Sequence, residues 1–246
     1  MFVIAVMSRK GGVGRSTLAA NLALLLSEQG RSVALIEHDP QGTLSAHVGV
    51  PPASAGWAGA WIAGQPLAPV VHQVNSYLRV LPLGPVPDAG EAALAQAVAE
   101  RPALPELLRA VAGEVVLIDT PAGDSVFASQ ARACADAVLS VWLCDMASLH
   151  AHEAGRDPLP ASGLHRHVLN QINATRVVRR ELFKAWRARL GETLLPVPVH
   201  QDESVSDALH AGGAVVRLFR HSQSAHDLQG IADWLVTHWL GMKGAI

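Results

Sequence analysis

An α/β fold, in which a mainly parallel sheet is covered by helices on both faces, is what this sequence predicts. Three observations predict it. Short apolar runs alternate with Ala- and Leu-rich stretches of helical period almost from end to end. The clearest of those runs are continuously apolar, as strands buried on both faces are. The chain has 246 residues, 50% of them hydrophobic and only 16% charged, enough for one extensive core. No linker is long enough to divide it and no repeat is visible, so one domain over residues 1–246 is expected.

In order, Phe2–Met7 reads as a buried strand, and Thr17–Gln29 as a helix stopped by Gly30. Ser32–Glu37 is the next strand. Pro51–Gly56 and Pro82–Gly90 read as loops. Between them lie a short helix carrying Trp57 and Trp61 and a strand near Leu78–Leu83. Weaker helical patterns at Glu91–Val98 and Pro102–Ala112 lead to a clear strand at Val115–Ile118. Ala137–Leu143 and His167–Leu169 are further strands, and Arg179–Leu190 is a helix. Leu194–Val199 and helices near Ser204–Ala211 and Ala225–Trp239 complete the pattern.

Composition excludes several classes. A net charge of -2 leaves no electrostatic footprint for nucleic acid, although a local patch is compatible with it. Cys134 and Cys144 have neither metal spacing nor a disulfide framework and read as free thiols in a reducing compartment. Met1–Met7 leads straight into a glycine loop, so it reads as a strand and not as a signal peptide. No apolar run approaches the roughly 18 residues of a membrane span. A cytoplasmic protein without direct membrane insertion is expected.

The chemistry concentrates in three motifs. Arg9-Lys10-Gly11-Gly12-Val13-Gly14-Arg15-Ser16-Thr17 joins the first strand to the first helix. Glycines let backbone amides turn inward around a phosphate, and the following helix presents its positive end to the same anion. Ser16 stands where a hydroxyl ligates Mg²⁺, and Arg15 where the usual phosphate loop has lysine. Glu37-His38-Asp39-Pro40-Gln41-Gly42 ends the second strand, at the edge where open α/β sheets bind ligands. Val115-Val116-Leu117-Ile118-Asp119 is an apolar strand ending in a carboxylate that can help hold Mg²⁺. A lone Asp would read as a cap or turn residue. The three motifs in this order predict a P-loop nucleotide-binding fold.

With these residues the sequence resembles the MinD/ParA family of deviant Walker ATPases. The resemblance gives Lys10 the place of the signature lysine, which reaches the nucleotide of a second subunit, so that ATP joins two copies into a homodimer. It gives Asp39 the task of positioning the attacking water, with Glu37 in place of an Asp. Asp119 becomes the Walker B carboxylate, acting on Mg²⁺ through water with Ser16 as direct ligand, and Asn170 faces adenine. Gly11, Gly12, Val13, Gly14, Arg15, Ser16 and Thr17 then form the nucleotide cradle.

Gly56-Trp57-Ala58-Gly59-Ala60-Trp61-Ile62-Ala63-Gly64-Gln65 and Leu195-Pro196-Val197-Pro198-Val199-His200-Gln201-Asp202-Glu203-Ser204 are similar to segments of the BcsQ (YhjQ) family of cellulose-synthesis operons. That resemblance covers nearly the whole chain. It implies a regulatory or assembly ATPase of cellulose secretion, with a small operon-encoded companion and components of the cellulose synthase complex as partners. Recruitment to the inner membrane face would then come through those partners. Arg15 departs from the wider pattern: arginine is bulkier, forked and always charged. Mg-ATP binding is expected to survive and turnover to be slow or absent.

Other signals stay open or fall away. A ParA-type DNA-partitioning ATPase shares every nucleotide motif. Its DNA contact would fall on Arg176, Arg179, Arg180, Lys184, Arg187 and Arg189. A non-hydrolysing nucleotide-binding scaffold also remains. An iron–sulfur carrier on this scaffold needs cysteines on both sides of Asp119, and both lie after it. The 12 histidines, including the pairs His150/His152 and His165/His167, read as surface or helix-end residues, not as a metal site. Trp57 and Trp61 share a helical face and read as core, with an anchor for a partner as the alternative. In the last helix Leu228, Ile231, Leu235 and Trp239 form one face, and Asp227, Gln229 and Asp233 a polar one. Only Lys243 is basic near the end, unlike a membrane-surface helix.

Overall fold

In a computed structural model the structure describes residues 1–51, 53–86, 90–155, 163–173 and 177–241, with only the backbone of 177–179. Arg176, Lys243, the side chain of Arg179 and parts of the loops at Pro51–Gly56 and Pro82–Gly90 lie outside these residues.

Strands β1 (Phe2–Met7), β2 (Val33–Glu37), β3 (His72–Gln73), β4 (Leu78–Leu81), β5 (Val115–Asp119), β6 (Ala137–Leu143) and β7 (Leu164–Asn170) form one sheet. Its order is β3-β4-β2-β5-β1-β6-β7. The pairs are parallel except β3 against β4. Helices α1 (Arg15–Glu28), α2 (Trp57–Ile62), α3 (Gly90–Glu100), α4 (Leu104–Ala110), α5 (Val126–Cys134), α6 (Met146–Ala154), α7 (Val177–Leu190), α8 (Ser204–His210), α9 (Val215–Leu218) and α10 (Gln223–Leu235) complete it.

The pleat divides β1 between two cores. Phe2, Ile4 and Val6 join α1, α9 and α10 on one face. Val3, Ala5 and Met7 join α2, α4 and α5 on the other. Helix α1 is apolar nearly all round, as a helix buried on most sides must be. It ends at Gly30, whose φ of 81° allows Gly30 N–H to reach Ser27 O and Arg31 N–H to reach Leu26 O. Trp57 and Trp61 are core residues, and Trp57 Nε1 donates to Glu37 O at 2.7 Å. Beside them the chain crosses itself closely: a Cβ on Gly56 would lie 2.3 Å from Gly84 N.

The structure departs from the sequence reading at several places. Helices α5 and α6 were not expected, although each has a local cap, Ser125 accepting from Ala128 N and Asp145 from Ser148 N. Leu194–Val199 is no strand; it runs beside β7 with an isolated bridge at Leu194. His165 and His167 are buried, because α6 and α7 cover one face of the edge strand. There Trp142 Nε1 donates to His167 Nδ1 at 3.0 Å, and His165 Nε2 shares a 2.8 Å hydrogen bond with Ser140 Oγ. Burial, then neighbouring Arg166 and His152, lowers His165 to about 4. Burial, then His165, His152 and Arg166, lowers His167 to about 3. Among the described residues no group of His, Cys, Asp and Glu could hold a metal ion as a cluster. No described helix is long and apolar enough to cross a membrane.

Candidate functional site

Strands β2, β5 and β1 lie side by side, with Glu37 registered on Asp119 and Asp119 on Val6. All three motifs therefore meet at one sheet edge, the carboxyl ends of parallel strands. Between β1 and α1 the glycine loop opens with Ser8 Oγ donating to Lys10 O at 2.7 Å. It closes on Gly14, whose φ of 91° suits a residue without Cβ; a Cβ there would meet Asn170 Nδ2 at 2.5 Å. The loop faces a cleft of about 890 Å³ lined by Gly11, Gly12, Gly14, Ser16, Thr17 and Asp39. A second cavity of about 350 Å³ adjoins it, sharing Gly14, Thr17, Gln171 and Leu209.

Asn170, at the end of β7, braces the loop, with Nδ2 donating to Val13 O at 2.7 Å and Oδ1 accepting from Gln171 N at 2.9 Å. Gln171, with a φ of 54°, is the described non-glycine residue in left-handed backbone, and it stands where the two cavities meet. The second cavity's wall runs through His200 and Asp202. His200 donates from its backbone N and from Nδ1 to Asp227 Oδ2, at 2.8 and 2.9 Å. Asp202 accepts from Ser204 N and Ser224 N. Burial opposes its charge, but these amides hold it down to about 2. Asp227 is thus buried, not part of α10's polar face: His200, from a distant loop, donates twice to Oδ2, and Gln223 of α10 donates to Oδ1 at 2.8 Å.

The carboxylates at the strand ends differ sharply. Glu37 is buried and saturated: it accepts from Ser45 N at 3.1 Å, Ser45 Oγ at 2.8 Å and Leu83 N at 2.9 Å. Its longer side chain ties the segment after Asp39 to the end of β4. His38 points into the core between Trp57 and Phe127, and burial lowers it to about 3, so it stays neutral. Asp39 takes Gln41 N on Oδ1 at 3.0 Å.

Asp119 is fully buried; the Ser16 hydroxyl favours its charge, but no hydrogen bond of ordinary length and angle completes either oxygen among the described residues. Burial, with Asp39 and Glu37 adding to it, pushes Asp119 up to about 7, while Ser16 and Arg15 pull the other way. Ser16 and Thr43 bring their hydroxyls to 3.5 Å at the cleft. An orphaned carboxylate beside hydroxyls is an oxygen donor set suited to a hard divalent cation. The residues present therefore fit Mg²⁺.

Two cations frame the loop. Lys10 turns to α6, where Nζ lies 3.0 Å from Asp145 Oδ2. Burial would raise Asp145, but the Ser148 amide and Lys10 outweigh it and hold it below the usual carboxylate range. Arg15 is buried beneath the loop. Its Nε donates to Thr120 O at 2.7 Å, Nη1 to Ser8 Oγ and to Lys10 O at 3.1 Å, and Nη2 pairs with Asp39 Oδ2 at 3.5 Å.

The structure thus brings Gly11, Gly12, Val13, Gly14, Arg15, Ser16, Thr17, Asp39, Asp119 and Asn170 to one place, with Lys10 turned aside. Thr43, Gln171 and Asp145 were not singled out in the sequence. Asp145 carried a signal, as the cap of a helix.

Comparison with known proteins agrees with this architecture. The chain is 27% identical to the chromosome-partitioning ATPase Soj of Thermus thermophilus, over 94% of this chain and 93% of that one. It is 25% identical to the cellulose biosynthesis protein BcsQ of Salmonella typhi, over 99% of this chain and 97% of that protein. The septum site-determining protein MinD of Pyrococcus horikoshii, solved with Mg-ADP, superimposes with a TM-score of 0.75 at 21% identity, covering 100% of this chain and 99% of that one. The fold is that of the ParA/MinD-type ATPases. The family model of the cellulose biosynthesis protein BcsQ matches residues 1–236, and the chain belongs to that family.

Proposed function

We propose that this chain is an ATP-dependent dimerising regulatory or assembly ATPase of a bacterial cellulose secretion system. The observation that carries the reading is Asp119, fully buried at the foot of the glycine loop with the Ser16 hydroxyl favouring its charge but no hydrogen bond of ordinary geometry on either oxygen among the described residues. A fold keeps such a group where a ligand completes it. The amides of Gly11–Thr17 would surround the phosphates. Asn170 would hold the loop from the side of the base. Ser16 would hold Mg²⁺ directly and Asp119 through water; the ion supplies positive charge to the phosphate oxygens. Lys10 would leave Asp145 to reach the nucleotide of a second copy, coupling nucleotide state to dimer state. A small companion protein and components of the cellulose synthase complex would read that state, in the cytoplasm or at the inner membrane face.

Light scattering after gel filtration, with Mg-ATP, with Mg-ADP and without nucleotide, tests the reading. A dimer formed only with Mg-ATP, and lost in Lys10→Ala, is the expected result. A constant dimer in every condition would rule out the nucleotide switch.

The similarity to Soj also supports a second reading, ATP-dependent DNA binding. Helix α7 exposes Arg180 and Arg187, while Lys184 pairs with Glu181 and Arg189 with Glu153. Salt-dependent retention of the ATP form on DNA would favour it.

A further inference from the structure

Arg15 occupies the position from which a phosphate loop ordinarily sends a cation to the phosphates, and it borders the cleft, yet four of the five N–H donors of its guanidinium are already engaged within the protein. It reaches Thr120 O after β5, Ser8 Oγ and Lys10 O in the loop, and Asp39 Oδ2 after β2. Its side chain is 9% exposed. Beside it lie Asp39 and Asp119, buried carboxylates at the ends of adjacent strands, with Glu37 next to Asp119 in turn. A lysine on one point contact could swing out to a phosphate. A fork engaged by acceptors from several segments cannot leave without breaking charge-assisted bonds and uncovering buried negative charge.

We propose that Arg15 is the internal counter-ion of the carboxylate cluster, not a phosphate ligand, so that the site binds ATP and holds it largely unhydrolysed. This deepens the nucleotide reading above and rests on it. In hydrolysis the water oxygen bonds to the γ-phosphorus and the bridging oxygen leaves with its electron pair on ADP. One water proton stays on the new phosphate, and the other passes through Asp39 to solvent. Two features of the site would slow that step. The Arg15 cation is held within the protein, away from where charge develops on the bridging oxygen, and Asp39, which would hold the water, already carries Arg15 on one oxygen and Gln41 N on the other. Arg15 acts through Asp39 and is a positioning residue. The nucleotide signal would be reset by exchange of ATP, or by a partner that frees Asp39.

The test is single-turnover hydrolysis of radiolabelled Mg-ATP, read beside the affinity of a fluorescent ATP analogue. In the unaltered protein, bound ATP should remain intact for many minutes; turnover within seconds would overturn the proposal. Arg15→Lys should raise the rate at least about tenfold with affinity changed less than about threefold, and the gain should vanish in Arg15→Lys/Asp39→Ala. An unchanged or lower rate in folded, nucleotide-binding Arg15→Lys overturns it. Arg15→Ala, where folded, should keep its affinity within about fivefold; a loss near a hundredfold would make Arg15 a phosphate ligand after all. If the unaltered protein binds no ATP analogue, the nucleotide reading itself fails, and that outcome is distinct from the others.

Discussion

Two regions of this molecule bury titratable side chains almost completely, and they treat them in opposite ways. At the β6–β7 edge, His165 and His167 are satisfied from within by Ser140 and Trp142, and they are held neutral. At the ends of β2 and β5, carboxylates share a single neighbourhood with Arg15, and Asp119 is left with no hydrogen bond of ordinary geometry among the described residues. Both regions use the same sheet and the same degree of burial. The fold leaves other buried polar atoms without hydrogen-bond partners among the described residues too, among them both His38 nitrogens, Arg166 Nε and Trp186 Nε1, but Asp119 is the carboxylate among them, and it stands beside Ser16 at the cleft. An uncompleted carboxylate beside a cleft marks a place kept for a ligand.

The largest expected effect separates the regions by pH. Folded-state pKa values of about 4 for His165 and about 3 for His167 and His38 lie below the unfolded value of 6.5. The unfolded chain then binds more protons below that value. Their contribution to stability is whole above pH 6.5 and is lost as pH falls towards 4 and 3. Each histidine adds up to about 1.4 kcal/mol per pH unit, so three together should remove on the order of 6 kcal/mol by pH 5, comparable with the whole stability of a marginal domain. Urea midpoints between pH 8 and 5 should fall steeply. The double variant His165→Asn/His167→Asn should show a visibly shallower fall; an unchanged slope would mean the edge cluster is not what titrates.

Next in size is His167→Ala. It removes a buried ring and leaves Trp142 Nε1 without its acceptor, which should cost about 2–4 kcal/mol. Nucleotide affinity should not change, because His167 lines neither cavity. A matched loss of affinity would show that the two regions are coupled.

Much of the site was legible in the sequence because its residues are held by spacing. A glycine turn between strand and helix, and carboxylates ending apolar strands, need only local pattern and a parallel sheet to bring Gly14, Asp39 and Asp119 together. What escaped depends on distant partners. His165 and His167 read as surface because nothing local says that α6 and α7 cover the edge strand. Asp227 read as a polar-face residue because the two bonds that hold its Oδ2 come from His200, in another part of the chain. The charge of Arg15 was legible, but not that the fork turns inward, since that is set by where Thr120 O and Asp39 lie. Helices α5 and α6 could have been found from Ser125 and Asp145.

Glu37 sharpens the comparison from within the site, since it is as buried as Asp119 and yet saturated. Glu37→Asp shortens the side chain by one methylene, and it cannot then hold both Ser45 and Leu83. A loss of about 1–2 kcal/mol is expected. It should appear as a lower urea midpoint with unchanged denaturant slope. If Glu37→Asp is as stable as the parent, the extra methylene has no structural task.

The smallest effect carries the opposite sign, and for that reason discriminates best. At pH 8 the Asp119 carboxylate is ionised, buried and without a hydrogen bond of ordinary geometry. Asp119→Asn removes the charge and keeps the shape, so the ligand-free protein should gain about 1 kcal/mol in the presence of EDTA. The same variant should lose the rise in Tm that Mg²⁺ adds to that of nucleotide alone, because the carboxylate that would hold the ion's water shell is gone. Replacing a merely structural buried group lowers stability, as expected for His167. Stabilisation of the empty protein together with loss of the Mg²⁺ response is the signature of a group kept at a cost for its ligand. Should Asp119→Asn destabilise the empty protein as His167→Ala does, Asp119 would join the satisfied groups of the core, and the contrast between the two regions would fail.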